Sequence, residues 1–338
     1  MTHPSPQLAG TWSHRLAVVL AGLTFPLIWV GGLVTTTDAG MSVPDWPNTY
    51  GYNLFLYPWQ TWLFGPWDLF VEHGHRLLAS LVGLVTIALA VVLWRTDPRQ
   101  SLRIAGLVAV AGVVGQGVLG GMRVLMDERT LAMIHGCVGP AFFAFVVTLC
   151  VVTSRRWRSP SADMPPRAAS GMKQVAVVTV VVAYLQLMLG AVLRHMPAGS
   201  QPGLFRAAVF FHLIMAAALA VQVVLLRRQA GYTGDAGLAT RRAANGLLAL
   251  VAFQIALGSA TWIAKYGWPP LVASYSWTAG YVIRAESLFQ THVVTAHVAT
   301  GSLILALAVS LAVVSGGRVR TAASGRKLSA SAAMELVA

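Results

Sequence analysis

Eight apolar stretches of roughly 20 residues constrain the fold of this chain most strongly. A helix of about 20 residues crosses the roughly 30 Å of hydrocarbon in a bilayer, and a helix satisfies its own backbone hydrogen bonds in lipid. The chain is 56% hydrophobic and only 10% charged, a composition that excludes a water-soluble surface. The sequence therefore predicts an all-α polytopic membrane protein with eight transmembrane helices, at approximately 16–34, 74–94, 103–122, 131–153, 173–193, 204–226, 243–264 and 288–315.

The distribution of basic residues predicts how these helices are oriented. Most of the 24 Lys and Arg residues lie in the N-terminal tail, the loops after the second, fourth and sixth helices, and the C-terminal tail. The positive-inside rule then places both termini in the cytoplasm and the long loops 35–73 and 265–287 on the outer side. The net charge of +13 is explained by this orientation, so we expect the lipid bilayer, and no nucleic acid, as a partner.

A repeated motif divides the chain into hairpins. The pattern Gln-x-x-Leu-Gly occurs at 116–120, 186–190 and 254–258, and the first helix keeps only the glycine. Each of these helices is followed by one that carries a histidine, which predicts two pseudo-symmetric four-helix bundles. The repeated residues either pack helices together or contact a cofactor directly. The predicted parts are the N-terminal half 1–153, a basic cytoplasmic linker 154–172, the C-terminal half 173–316, and a flexible cytoplasmic tail 317–338.

Four histidines lie near the start of every second apolar segment: His75, His135, His212 and His297. In a membrane they share one depth, which the predicted orientation places in the outer leaflet. Four separate buried histidines with no shared role would be a poor explanation of this regular placement. Thiolates and paired carboxylates are absent from these positions, so haem iron is a better fit than zinc or a di-iron site. His292 competes with His297, but the five-residue spacing turns the two to different faces, and we prefer His297.

One acidic and basic cluster surrounds the first of these histidines. Glu72 precedes His75 by three residues and Arg76 by four, so the three side chains share one helix face and His73 points elsewhere. Ionisable residues within membrane spans are costly to bury and usually serve a pathway or a cofactor. The structural alternative is a Glu72–Arg76 salt bridge, with His75 bonded to a backbone carbonyl.

Other polar and aromatic residues lie in the outer loops or at helix ends. Outer arginines could bind haem propionates, because guanidinium pairs with carboxylates, or could simply anchor helices at the interface. His3, His14 and His195 are expected to be solvated. The aromatic loop from Thr35 to about Phe70 suits an interfacial lid. The arginine candidates are Arg123, Arg194, Arg206 and Arg284.

The segment from Glu72 to Arg76 resembles the Glu-x-x-His-Arg motif of the haem A synthase family. Residues 40–47, Gly-Met-Ser-Val-Pro-Asp-Trp-Pro, are similar to the stretch that follows the first helix in that family, and the resemblance spans all eight helices. The chain departs from many bacterial members because its outer loop has no cysteine. Its only two cysteines, Cys137 and Cys150, lie in the fourth apolar segment.

The resemblance implies a function for each half. The N-terminal half would hold the substrate haem O between His75 and His135, and the C-terminal half would hold the cofactor haem B between His212 and His297. As an oxidoreductase, the enzyme would oxidise the C8 methyl of haem O to a formyl through a hydroxymethyl intermediate. The product is haem A for cytochrome oxidase. Glu72, with Arg76, would stabilise positive charge at the methyl carbon or handle its proton.

The resemblance also implies a setting: a bacterial inner membrane, a haem O synthase that supplies the substrate, and an unidentified membrane electron carrier. A homo-oligomer is compatible with the sequence. One alternative is a quinol-linked dihaem b-type electron carrier, which uses the four histidines but needs no acid at Glu72. Another is a transporter built from two repeats, which explains the internal symmetry but leaves the histidines unused.

Overall fold

The computed structural model describes residues 6–158, 166–197, 199–233, 237–268 and 287–335. Helices account for most of these residues, and their bounds provide the framework for the site. They are α1 (Pro6–Thr36), α2 (Trp59–Leu63), α3 (Trp67–Thr96), α4 (Gln100–Leu125), α5 (Arg129–Thr153), α6 (Arg155–Arg158), α7 (Pro166–His195), α8 (Pro202–Gly231), α9 (Leu238–Tyr266) and α10 (Leu288–Glu335).

Eight of these helices are long and apolar enough to cross a membrane, which confirms the predicted all-α polytopic class. Within the described ranges the only β-type pairing is an isolated bridge between Thr49 and Tyr52. Several helices begin before their apolar segment. Helix α3 starts at Trp67, with Asp68 in its first turn, where a carboxylate interacts favourably with the helix dipole. As a result Glu72 and His73 lie within regular helix instead of at its edge.

The long helices contact one another in the same cyclic order in each half of the chain. Helices α1, α3, α4 and α5 form one closed ring of neighbours, and α7, α8, α9 and α10 form another. The rings meet where α5 contacts α7 and α10 and where α1 contacts α10. Phe143 of α5 belongs to the apolar core of the second ring and packs beside Phe25 of α1. This arrangement supports the two-bundle division, whose pseudo-symmetry stays a prediction.

Two regions between and after the halves are more helical than expected. Helix α7 begins at Pro166, so residues 166–172 of the proposed linker are helical. Proline is favoured at the first helical position, because its missing N–H would have no partner there. Helix α10 continues to Glu335, through the region for which we expected a flexible tail from residue 317. That tail contains no proline and is rich in alanine, lysine and arginine, which favour helix.

The turn between α3 and α4 is held by a buried carboxylate. Asp97 accepts hydrogen bonds from the Arg99 backbone N at 3.0 Å, from its Nε at 2.9 Å and from its Nη2 at 2.8 Å. Arg99 Nη1 donates to the Val152 carbonyl at 3.0 Å and thereby joins this turn to α5. The Arg99 side chain, held by Asp97, thus connects the end of α3, the start of α4 and the end of α5.

Replacement of Asp97 should therefore weaken the first bundle. We expect Asp97→Ala to lower the free energy of unfolding by about 1–2 kcal/mol, because Arg99 is partly solvated and part of its interaction is screened. Thermal unfolding in detergent measures the loss, with Ser101→Ala, an exposed position in the first turn of α4, as the control. Equal melting temperatures for the two variants would contradict this role of the turn.

Candidate functional site

The structure brings the four histidines together as two facing pairs. The ring centroids of His75 and His135 are 6.5 Å apart, with an interplanar angle of 80°. Those of His212 and His297 are 6.4 Å apart, with an angle of 67°. Two imidazoles that bind one metal from opposite sides, each through a bond of about 2 Å, have centroids roughly 6 Å apart. Each pair therefore has the spacing required to hold one iron between its rings.

The pairing also distinguishes the two histidines of α10. His297 faces His212 in the second pair, whereas His292 is exposed. A spacing of five residues rotates side chains by well over 90° around a helix, so the two rings cannot share one direction. The preference for His297 over His292 agrees with this placement.

Each paired histidine packs against a glycine on the long helix that precedes it. A Cβ atom added to these glycines would lie 3.0 to 3.3 Å from the Cε1 atom of the facing ring, closer than ordinary van der Waals contact. Only glycine lets the helix backbone approach the ring this closely. The four contacts are Gly31 with His75, Gly120 with His135, Gly190 with His212, and Gly258 with His297.

The glutamines of the repeat contact the same histidine-bearing helices. The side-chain amides of Gln116 and Gln254 donate to the carbonyls of His135 and His297, at 3.2 and 2.9 Å. Gln186 differs, because its Nε2 lies 3.2 Å from the ring Nε2 of His212. The glutamines therefore join the two helices in three of the four hairpins, and Gln186 does so through the histidine ring itself.

The second ring nitrogen of each histidine faces the protein. All four Nδ1 atoms are buried and lack a close hydrogen-bond partner among the described residues. The backbone carbonyls of Leu27, Gln116 and Gln254, each four residues before the contacting glycine, still interact with the histidine ring on the next helix. A ligating imidazole usually directs its other N–H to a carbonyl of this kind. The inward Nδ1 atoms of His75, His135 and His297 thus fit rings that bind iron through Nε2, whereas Nε2 of His212 lies at hydrogen-bond distance from Gln186.

Glu72 and Arg76 form a buried ion pair that holds the outer loop. Arg76 Nη2 donates to Glu72 Oε1 at 2.9 Å, and the Val43 backbone N donates to Glu72 Oε2 at 2.9 Å. Arg76 also donates to the carbonyls of Val43, Asp45 and Asn48, at 2.8, 2.7 and 2.9 Å. The predicted i, i+4 contact is present, and the pair fixes residues 43–48 beside His75.

His73 is an anchor of the loop that sequence reasoning missed. Its ring is buried, and its Nδ1 lies 3.1 Å from the Thr49 hydroxyl. The centroids of Tyr57 and Trp62 are 5.3 and 5.1 Å from the His73 ring. The sequence did contain a sign of this role. His73 follows Glu72 by one residue, which turns its side chain by about 100° around the helix from that of Glu72. The aromatic loop therefore packs on α3, and its Trp46 ring also lies against Gly121 of α4.

Two of the four arginine candidates lie close to the histidine pairs. Arg123 Nη2 donates to the Gly40 carbonyl at 2.7 Å, and Arg123 lies three residues after Gly120, which packs against the His135 ring. Arg194 lies in the last turn of α7, four residues after Gly190, which packs against the His212 ring. Arg206 is exposed, and Arg284 lies outside the described residues.

The histidines expected to be solvated are less exposed than predicted. His14 is half-buried, and its Nδ1 lies 3.3 Å from the Thr153 hydroxyl at the end of α5. His195 is also half-buried, with its Nε2 beside Gly136. His14 lies more than two turns inside α1 and His195 ends α7, and each contacts a neighbouring helix that partly excludes water from it. His3 lies outside the described residues.

The glycine contacts predict a selective effect of adding one methyl group. Gly31→Ala should displace the His75 ring and reduce haem retained by the His75–His135 pair, because its Cβ would lie 3.0 Å from Cε1. Gly22→Ala, on the same helix, meets no atom within 4 Å and is the matched control. The absorption of bound haem in the purified variants measures the difference. Equal haem content would show that the glycine does not position the ring.

Comparison with known proteins identifies relatives of this chain. The chain is 26% identical over 184 residues to a protein named Heme A synthase from Shouchella clausii. The matched region covers 54% of this chain and 58% of that relative. It is 30% identical over 270 residues to a Heme A synthase from Symbiobacterium thermophilum. Here the matched region covers 72% of this chain and 84% of the relative.

The chain thus spans less than two thirds of the first of these relatives, at 58%, and most of the second, at 84%. It also shares 29% identity over 133 residues with a Protoheme IX farnesyltransferase from Halobacterium salinarum, a match that covers 39% of this chain and 27% of that protein.

The COX15-CtaA family, described as cytochrome oxidase assembly protein, matches residues 66–283, a range that includes all of the Glu72–Arg76 motif. The chain therefore belongs to the COX15-CtaA family of cytochrome oxidase assembly proteins.

Proposed function

We propose that this protein is a haem A synthase, which oxidises the C8 methyl of haem O to a formyl through a hydroxymethyl intermediate. The observation that carries the proposal is the position of buried Glu72, paired with Arg76, one helical turn before a histidine that faces another histidine. Family membership and the names of the relatives support the same activity.

In this proposal the two histidine pairs have different tasks. His75 and His135 bind the iron of the substrate haem O. His212 and His297 bind haem B, which supplies one-electron transfer when it is bound. Only the first of these histidines has an acidic residue three positions before it. Position 72 is Glu, whereas the corresponding positions 132, 209 and 294 are Ala, Val and Val. This difference supports the first pair as the substrate site.

Glu72 can act on the substrate without leaving its place. Each carboxylate oxygen accepts one described hydrogen bond, from Arg76 or from Val43, and each has a further lone pair. The ion pair keeps the carboxylate oriented, and both side chains are largely buried. Glu72 then stabilises positive charge that develops at the methyl carbon or accepts the proton that it loses. Arg76 is the positioning residue for this carboxylate.

A dihaem b-type electron carrier, linked to quinol, remains the second candidate. One observation favours it: both oxygens of Glu72 are bonded to the loop or to Arg76, which is also what a purely structural anchor requires. Such a carrier would bind two haems through the same histidines and would modify neither.

We place the protein in the bacterial cell membrane, with both termini in the cytoplasm and the two haem sites in the outer leaflet. A haem O synthase would supply the substrate, in line with the partial similarity to a farnesyltransferase. A membrane electron carrier would accept the electrons, and a homo-oligomer is compatible with this arrangement. Arg123 and Arg194 are the proposed contacts to haem propionates, because each lies about one helical turn after a glycine that packs against a paired histidine.

The role of Glu72 can be separated from loop anchoring. We expect Glu72→Gln, which keeps an acceptor for the Val43 N–H but loses the charge, to retain haem and to lower haem A production by at least tenfold. Haem O or the alcohol should accumulate. Cells that also express a haem O synthase provide the substrate, and mass analysis of extracted haem measures the products.

Arg76→Gln is the companion variant, because it removes the loop contacts while the carboxylate remains. A milder loss than in Glu72→Gln is expected if the carboxylate acts on substrate. The same product profile in both variants would assign Glu72 to anchoring alone. Absence of haem A from the unsubstituted protein, with two haems bound, would favour the electron carrier.

The ligand assignment in α10 has a matched test. His297→Ala should lose the haem of the second pair, because one axial ligand is removed, and His292→Ala should retain both haems. The ratio of haem to protein in the purified variants measures this. Retention of both haems by His297→Ala, together with loss by His292→Ala, would reverse the assignment.

A further inference from the structure

Arg194 is a buried cation with hydrogen-bond partners at only one end of its guanidinium among the described residues. It lies in the last turn of α7, and its Nη2 donates to the Gly32 carbonyl at 2.7 Å and to the Thr36 hydroxyl at 2.8 Å. Both acceptors belong to α1. Its Nη1 is buried and has no hydrogen-bond partner among the described residues. A guanidinium stays charged and keeps all its donors, so leaving this end unpaired is costly.

The surroundings of Arg194 favour an anion. Arg194 lies four residues, about one helical turn, after Gly190, which packs against the His212 ring, and its partner Thr36 lies 3.3 Å from Thr295 near His297. The ion pairs in the described part of the chain are Glu72–Arg76 and Asp97–Arg99, and neither involves Arg194. A buried charge is stable only when it is paired, which makes the space beside Nη1 suited to a carboxylate.

We propose that Arg194 Nη1 binds a carboxylate of the haem held by His212 and His297, and that α1 fixes the guanidinium for this task. The inference rests on the proposed function, because it takes haem as the ligand of that pair. The propionates of haem are carboxylates, and arginine pairs with carboxylates by charge-assisted hydrogen bonds. Since α1 belongs to the first ring of helices, the second site is completed by a residue pair from the other half.

The same stretch of α1 contacts both histidine pairs. Gly31 packs against the His75 ring, while the carbonyl of the next residue, Gly32, accepts from Arg194. The Thr36 hydroxyl also lies 3.3 Å from the Thr295 hydroxyl, two residues before His297. Consequently the position of Arg194 relative to the second pair is set by the helix that supports the first pair.

The test uses the full-length protein loaded with haem B. We expect Arg194→Met to weaken haem retention at the second pair by about tenfold, the effect of one lost charge-assisted bond. The midpoint potential of that haem should also fall, because removal of a nearby cation favours ferric iron. Arg194→Lys keeps the charge but cannot bond α1 and the carboxylate with one planar fork, so an intermediate affinity is expected. The exposed Arg129→Met is the control.

The possible outcomes separate the proposal from the proposed function. Weaker haem binding and a lower potential in Arg194→Met, with Arg129→Met unchanged, support the proposal. Unchanged affinity and potential, with a lower melting temperature, would overturn it and assign Nη1 to a carboxylate of the protein. If Arg194→Met does not fold, Thr36→Val, which removes one fixing bond, should still lower the affinity, and an unchanged value would overturn the role of α1. Failure of the unsubstituted protein to bind haem at His212 and His297 would instead refute the proposed function.

Discussion

Close contact between a histidine ring and a glycine on the neighbouring helix is the constraint on which both sites depend. At each of the four positions the absence of a Cβ lets the ring lie directly on the helix backbone. This fixes the direction of the imidazole, because one edge faces a helix and the inward Nδ1 atom is buried. Two such rings on neighbouring hairpins then face each other at 6.4 to 6.5 Å between centroids. The pairs are thus products of helix packing and need no loop to hold them.

The first pair differs from the second through one buried carboxylate and the loop that it binds. Glu72 and Arg76 connect α3 to residues 43–48, and His73 adds a further contact through Thr49. A buried ion pair alone contributes little to stability, because desolvation of the charges offsets their attraction. Here the pair also satisfies several loop carbonyls, which explains how an irregular segment can pack beside the spans. The loop and the Glu72–Arg76 pair are therefore one structural unit.

Helix α1 gives the molecule its continuity. It contacts α3 and α5 on one side and α10 on the other, and its Gly32 and Thr36 receive the guanidinium of Arg194. Membrane helices are joined mainly by close packing and by interhelical hydrogen bonds, since lipid supplies no hydrophobic force between them. Gly31 packs closely against His75 of the first half, and the carbonyl of Gly32 accepts a hydrogen bond from Arg194 of the second half. A two-bundle description from the repeat alone does not include this connection.

The sequence by itself determined the eight spans, the histidine positions, the i, i+4 relation of Glu72 and Arg76, and the repeated glutamine and glycine. These follow from periodicity and from the length of hydrocarbon to be crossed, which are local properties of the chain. It did not determine the burial of His73, the helical continuation of α10, or which arginines approach the histidines. Only the tertiary structure decided which histidine of α10 faces His212 and that Arg194 is held by α1. Those features depend on contacts between residues more than 80 positions apart in the chain, as for His212 and His297, and no local pattern encodes them.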